Sequence, residues 1–174
     1  ILTSYTLNRR VVEDLPEHHV AYIPVARNGI QGQRTYMTSP FVLRKLADKQ
    51  PFDKSLTIKF TGPDTYTVTP QDKPSGKVKK GDSEREFRIG ETFDFYGFNF
   101  VVEPRDSSSQ FSDGQRWLVW FESPDRLTNI YRTSLKVAPV EDYSSVFTLS
   151  FDGYARQQGA DYLNTLMKLY ILQG

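Results

Sequence analysis

Residues 55–61, Ser-Leu-Thr-Ile-Lys-Phe-Thr, decide the fold class of this chain. Leu, Ile and Phe alternate there with Thr and Lys, which is the period-two pattern of a strand with one buried face. A Gly-Pro-Asp turn follows at 62–64, and residues 66–69 form a second extended segment. Because a strand, a tight turn and a strand in succession favour antiparallel pairing, we predict a β-hairpin within an antiparallel sheet.

Further strand patterns follow on both sides of this hairpin. Residues 87–102 carry an alternation rich in Phe that is interrupted at Gly90 and Gly97, where turns or bulges are expected. Residues 116–121 have apolar side chains on both faces, and residues 145–152 alternate again. These segments predict further strands of an antiparallel sandwich.

Three segments instead have helical signals. Ser4 can cap a short amphipathic helix that ends before Pro16, and Ser123 precedes Pro124 as a second helix start. From Gly159 onward, apolar residues recur at helical spacing. We predict an α+β fold, an antiparallel β-sandwich, for which a jelly-roll-like topology is one option, joined to a small α/β layer that contains the N-terminal and C-terminal helices. Residues 1–50 and 140–174 are expected to form the base and 51–139 the inserted sandwich.

Composition limits the classes of partner. The 174 residues include 22 basic and 21 acidic side chains, a net charge of +1, which lacks the positive surface that nucleic-acid binding requires. Cysteine is absent, so disulfides and thiolate metal sites are excluded. The sequence has no apolar run of 18 residues, and we expect any membrane span to lie outside this chain.

No catalytic signature is found in the sequence. None of the common nucleophile, phosphate-loop or metal-binding motifs occurs, so we predict no enzyme activity, no cofactor and no metal for this chain. Adjacent His18 and His19 would point to opposite faces of a strand and make a poor chelate, so we expect them in a surface loop. A glycoside-processing enzyme would need two carboxylates across a cleft, and no such pair stands out.

Three sets of residues are candidates for binding. Leu163, Leu166, Met167 and Tyr170 share a stripe of the last helix, which fits either core packing or an assembly face. Phe111, Trp117 and Trp120 could contact a glycan, although aromatic residues in a Phe-rich sheet more often fill the core. The Lys-rich run 76–80 could touch acidic polysaccharide or lipid head groups, although a solvated loop is the simpler interpretation.

Four ordered segments, residues 2–15, 36–41, 145–153 and 160–171, resemble the periplasmic region of polysaccharide co-polymerases, the Wzz/Wzc-type chain-length determinants. The last segment is similar to the start of the long helix that follows the β-rich part in this family, especially in its tyrosine-autokinase members. The resemblance implies a parent protein at the periplasmic face of the bacterial inner membrane, with membrane spans outside this chain and in some members a cytoplasmic tyrosine kinase domain.

The resemblance also implies a function. The chain would regulate the length and export of capsular polysaccharide or exopolysaccharide by forming homo-oligomers beside the polymerase and export machinery, with glycan as an additional ligand and without catalysis. The alternative is a stand-alone secreted carbohydrate-binding β-sandwich module that uses the three aromatic residues named above.

Overall fold

The computed structural model describes residues 1–46, 51–71, 85–153 and 155–173. The chain divides into two units. Unit 1 comprises Ile1–His19 and Glu122–Gly174, and unit 2 is the continuous segment Val20–Phe121. The Lys-rich run 76–80 lies outside the described residues.

Unit 2 is a β-structure of two antiparallel sheets. Its strands are β1 (Val20–Val25), β2 (Phe41–Lys45), β3 (Lys54–Phe60), β4 (Thr65–Pro70), β5 (Glu86–Arg88), β6 (Thr92–Phe95), β7 (Phe98–Pro104) and β8 (Arg116–Phe121). One sheet has the order β1-β8-β3-β4-β5, and the other has the order β2-β7-β6. The predicted hairpin of residues 55–61 and 66–69 is confirmed as the β3–β4 pair.

An aromatic core lies between these two sheets. Phe41 is completely buried, and its ring meets those of Tyr22, Phe60 and Trp117 edge to face at centroid distances of 5.4, 5.4 and 5.8 Å. Such arrangements add specific geometry to the burial of large apolar surfaces. The alternation read from the sequence therefore places its Phe residues in the interior of a sandwich-like arrangement.

The expected turns at Gly90 and Gly97 are also present. Tyr96 and Gly97 join β6 to β7, and both have positive φ, 57° and 82°. A two-residue hairpin turn of this kind needs positive φ at both positions, which Gly adopts without strain.

Unit 1 contains α1 (Tyr5–Asp14), a 3₁₀ turn (Pro16–His19), α2 (Pro124–Ser134), β9 (Leu135–Pro139), β10 (Phe147–Phe151) and α3 (Arg156–Gln173). The expected caps are confirmed, because the side chains of Ser4 and Ser123 accept hydrogen bonds from the backbone N–H groups of Leu7 and Arg126, at 3.4 Å each. Strands β9 and β10 form a separate two-stranded antiparallel sheet.

The described residues thus contain three α-helices and antiparallel sheets of five, three and two strands, so the predicted α+β class is confirmed. The unit boundaries differ from the expected ones. Strands β1 and β2 belong to unit 2, and α2 and β9 belong to unit 1. The contacts of α2 explain the second difference, because α2 packs against α1 and supplies Leu127 and Tyr131 to the core of unit 1.

Candidate functional site

The three aromatic residues predicted to contact glycan do not converge on one surface. Trp117 is only 7% exposed and packs in the core of unit 2. Phe111 stacks on the buried ring of Phe60 at 4.5 Å. Trp120 lies an odd number of residues from Trp117 on β8, so the two indoles point to opposite faces of the sheet. The structure therefore gives these residues no shared platform for a sugar ring.

The predicted stripe on α3 is divided between interior and surface. Leu166 is 0% exposed in the core of unit 1, and Leu163 packs against that core. Met167 is half-buried, whereas Tyr170 is 38% exposed. Because Leu166 already has its contacts within unit 1, only the Tyr170 end of the stripe is open to a partner.

Buried polar groups connect the helices of unit 1. The Tyr162 hydroxyl donates to Asn8 Oδ1, and Asn8 Nδ2 donates to the carbonyl oxygens of Leu2 and Ser4 at 2.8 Å each. Burial raises the pKa of the Tyr162 hydroxyl, with a smaller contribution from Tyr131, so this group stays protonated and able to donate. These bonds fix α1 against α3.

The expectation that the two histidines lie in a surface loop is wrong. His18 is 0% exposed, and its Nδ1 lies 2.7 Å from the Tyr131 hydroxyl. His19 Nε2 lies 2.6 Å from the Val12 carbonyl oxygen. Both residues belong to the 3₁₀ turn, where their ring nitrogens satisfy neighbouring polar groups.

The β9–β10 hairpin exposes apolar side chains on one face. Cross-strand pairs on this face run from Leu135 with Phe151, through Val137 with Leu149, to Pro139 with Phe147. The first pair contacts the core of unit 1, but exposure increases along the hairpin to 56% at Phe147. The opposite face carries polar pairs such as Lys136 with Ser150.

We call the exposed part of this surface the hairpin face. It comprises Val137 and Phe147 of the hairpin and Tyr170 of α3. With exposed fractions from 38% to 56%, these side chains together present on the order of 250 Å² of surface. A shallow cavity of about 310 Å³ between Val137, Phe147 and Tyr170 links the hairpin to α3, and no charged side chain lines it in the described structure. A contiguous exposed apolar patch beside a cavity is often a site of interaction.

Strand β10 is also an unprotected sheet edge. Within the described part of the chain it pairs with β9 alone, so its outer edge leaves backbone N–H and C=O groups without a strand partner. Residues 145–151, Ser-Val-Phe-Thr-Leu-Ser-Phe, contain no charge and no Pro, whereas β9 carries both Lys136 and Pro139. Charges and Pro are the usual protection of an edge strand, so β10 is the edge that a further strand can join.

In residues 1–46, 51–71, 85–153 and 155–173 no group of three or more His, Asp or Glu side chains could hold a metal ion. None of the helices in this part of the chain combines the length and the apolar character that a membrane crossing needs.

Comparison with known proteins gives no family. No family model and no curated protein matches the chain. Two crystal structures of Xanthomonas campestris FlgL, a flagellar hook-associated protein, are similar at 13% and 16% identity and a TM-score of 0.31 each. The matches cover 88% of this chain and 41% of the FlgL chain, so this chain spans less than half the length of FlgL. A TM-score this low carries no argument about the fold or role of this chain.

These findings contradict the resemblance to polysaccharide co-polymerases, which we therefore correct. Neither the family models nor the curated proteins support it. The four segments on which the resemblance was based are short. Three of them contain residues that are buried in the cores of the two units. Phe41 is one example and Leu166 is another, and both are completely buried. The assignment to polysaccharide biosynthesis is withdrawn with the resemblance.

Proposed function

We propose that this chain is a non-catalytic assembly module that pairs with a second copy of itself through the hairpin face and the outer edge of β10. The observation that carries the proposal is the uncovered apolar face on a hairpin whose edge strand lacks charge. Chain-length control and the polysaccharide machinery as a partner depended on the resemblance alone, and they are not carried further.

The hairpin face covers part of the area that a pair of chains needs. A stable complex buries about 800 Å² on each partner. The hairpin face supplies on the order of 250 Å² of apolar surface, and backbone pairing along β10 adds polar area around it. The expected interface is therefore small and its affinity is weak.

A second copy fits this surface better than an unrelated partner, for a reason of symmetry. Two identical strands can pair antiparallel about a two-fold axis, so each satisfies the open backbone groups of the other. Pairing β10 with β10 would turn two hairpins into one four-stranded sheet, and sheets of three or more strands are much more stable than an isolated hairpin. The same axis places both hairpin faces on one side of that sheet, so the apolar side chains of β10, such as Phe147, contact those of the partner's β10 across the seam.

The test is the mass of the chain in solution as a function of concentration, measured by sedimentation equilibrium. We expect a concentration-dependent dimer. Replacing Phe147 by Lys places a charge in the middle of the hairpin face and should weaken dimerisation at least about tenfold, the loss typical of a central interface residue.

Ala138→Lys is the matched control. It adds the same charge to the same hairpin, but its side chain lies on the opposite face and on β9, away from the outer edge of β10. Its effect on the dimerisation constant should be less than about threefold, in the range of rim substitutions. A wild-type chain that remains monomeric at about 1 mM, where even a weak complex is half formed, would contradict the proposal.

A further inference from the structure

A polar groove lies on the outer face of the five-stranded sheet of unit 2. Its floor is formed by side chains of β8, β3 and β4, and its wall is formed by the segment after β1, including Gly29 and Gln31. The wall is held by backbone hydrogen bonds, because the Gly32 N–H donates to the Pro24 carbonyl at 2.8 Å and the Ala26 N–H donates to the Ile30 carbonyl at 2.8 Å. The groove has a volume of about 360 Å³, within the usual range for ligand sites of about 300–1,000 Å³.

Two cations stand side by side in this groove. Lys59 of β3 and Arg116 of β8 are direct cross-strand partners, and both line the groove. Like charges in this position repel and destabilise the sheet. Neither side chain forms an ion pair with any residue that the structure describes. An anion bound between them would attract both side chains and offset this repulsion.

Hydroxyl and amide groups surround the cation pair. The cross-strand row that contains Arg116 and Lys59 continues to Thr67 on β4. The next row on the same face contains Thr57 and Thr69 as cross-strand partners. The Gln71 side chain donates to the Thr57 hydroxyl, which fixes one of these groups. No acidic and no aromatic side chain lines the groove in the described part of the chain, and the acid beside it, Glu86 on β5, is the cross-strand partner of Thr67. Such a surface recognises a ligand by hydrogen bonds and charge, without ring stacking.

The spacing of these groups determines the size of the ligand. Neighbouring strands are about 4.8 Å apart, so Arg116 on β8 and Thr67 on β4 are separated by about 10 Å across the sheet. One inorganic phosphate cannot contact both ends of that row. A sugar that carries a carboxylate and is linked to a second sugar can place its charge at the cations and its hydroxyls along the threonines. We infer that this groove binds an acidic saccharide, one whose rings bear carboxylates.

The guanidinium of Arg116 offers paired N–H donors that match the two oxygens of a carboxylate, and Lys59 adds a point charge. The net charge of the whole chain is only +1, so a diffuse attraction of polyanions is weak and binding depends on these two side chains.

The experiment is isothermal titration calorimetry of the full chain with a short galacturonate oligomer, with its methyl ester and with inorganic phosphate. The ester retains the ring hydroxyls but removes the charge, so it isolates the carboxylate. We expect the free acid to bind at least about tenfold more tightly than the ester, the order expected for losing a charge-assisted hydrogen bond. Binding should also weaken as salt increases.

Arg116→Gln and Lys59→Gln should each weaken binding of the acid about tenfold. Arg88→Gln is the matched control, because it removes one positive charge from β5 of the same sheet, outside the groove, and should leave the affinity unchanged within about twofold. Thermal unfolding of each variant checks that unit 2 remains folded, and the two groove variants test the site independently of each other.

Equal affinity for acid and ester, no measurable binding of the acid at millimolar concentration, or equal losses in the Arg88 variant would each overturn the inference. Phosphate binding as tight as that of the oligomer would also overturn it, since that result describes a plain anion site. The groove lies in unit 2, so Phe147→Lys should bind the oligomer like the wild-type chain, and the result is separable from the assembly proposal.

Discussion

Replacing Leu166 by Ala distinguishes a core residue from an assembly residue on α3. Leu166 is 0% exposed and belongs to the cluster that joins α1, α2 and α3. Truncating a fully buried Leu costs about 2–5 kcal/mol, because the transfer free energy of the lost atoms adds to the cost of the cavity. We expect about 3 kcal/mol for the unfolding of unit 1, a large share of the stability of a unit of about 70 residues. The midpoint of thermal unfolding should fall by roughly 15 °C.

The chain supplies separate optical probes for its two units. The α-helices that the structure describes all lie in unit 1, whereas Trp117 and Trp120 both lie in unit 2. Urea unfolding followed by the helical circular dichroism signal therefore reports mainly on unit 1, and tryptophan fluorescence reports on unit 2. Leu166→Ala should lower the midpoint of the helical transition and should have a much smaller direct effect on the fluorescence transition.

Asn164→Ala is the control on the same helix. Asn164 is exposed, and the free energy of unfolding should change by no more than about 0.5 kcal/mol. If Leu166→Ala also stayed within that range while weakening dimerisation, Leu166 would be an interface residue, and our assignment of the core of unit 1 would be refuted.

Three other substitutions test individual contacts. Tyr162→Phe removes the donor to Asn8 Oδ1 and leaves a buried acceptor unpaired, so unit 1 should lose about 1–3 kcal/mol by chemical denaturation. Tyr66 is 0% exposed, and its hydroxyl has no hydrogen-bond partner among the described residues. Burial, with a smaller contribution from Glu91, raises the pKa of that hydroxyl. This hydroxyl ionises near pH 10 in the unfolded chain and only at higher pH in the folded chain. Its contribution to the free energy of unfolding is therefore complete below about pH 10 and is lost as pH rises further. Tyr66→Phe should consequently reduce the alkaline loss of stability in a pH series of fluorescence-detected unfolding curves, and an unchanged series would count against the burial of this hydroxyl. Ser123→Ala removes the cap of α2 and should cost about 1 kcal/mol in the helical transition, whereas Ser123→Thr should retain most of it.

Local patterns predicted the elements well. The alternation of residues 55–61, the capping serines and the turn glycines each act within a few residues, so they are visible in the sequence. Sequence also indicated that one stripe of α3 is buried. It could not indicate the partner of that stripe, because an amphipathic helix packs equally well on its own domain or on another chain. Leu166 therefore served as a candidate for assembly although it is a core residue.

The features that the sequence did not reveal depend on contacts between distant residues. Tyr162 meets Asn8 across 154 positions, and the polar role of Asn8 cannot be read from its neighbours in α1. Lys59 and Arg116 become partners only through the pairing of β3 with β8, a register that no local signal specifies. The histidine pair gave a misleading prediction for the same reason, since the Tyr131 hydroxyl that meets His18 lies on α2, far along the chain.

The insertion of unit 2 into unit 1 has a consequence for the order of folding. Val20 and Phe121, the first and last residues of unit 2, are direct partners in the β1–β8 pair, and the Glu122 N–H donates to the His19 carbonyl at 2.9 Å. Before unit 2 folds, bringing α1 to α2 must close a loop of about 100 residues, at an entropic cost of about 4 kcal/mol. Once β1 has paired with β8, the two segments of unit 1 are adjacent. The entropic cost of closing the loop has then been offset by the folding of unit 2. Unit 2 should therefore be the nucleus of folding during synthesis, and unit 1 should form last, when α3 has left the ribosome.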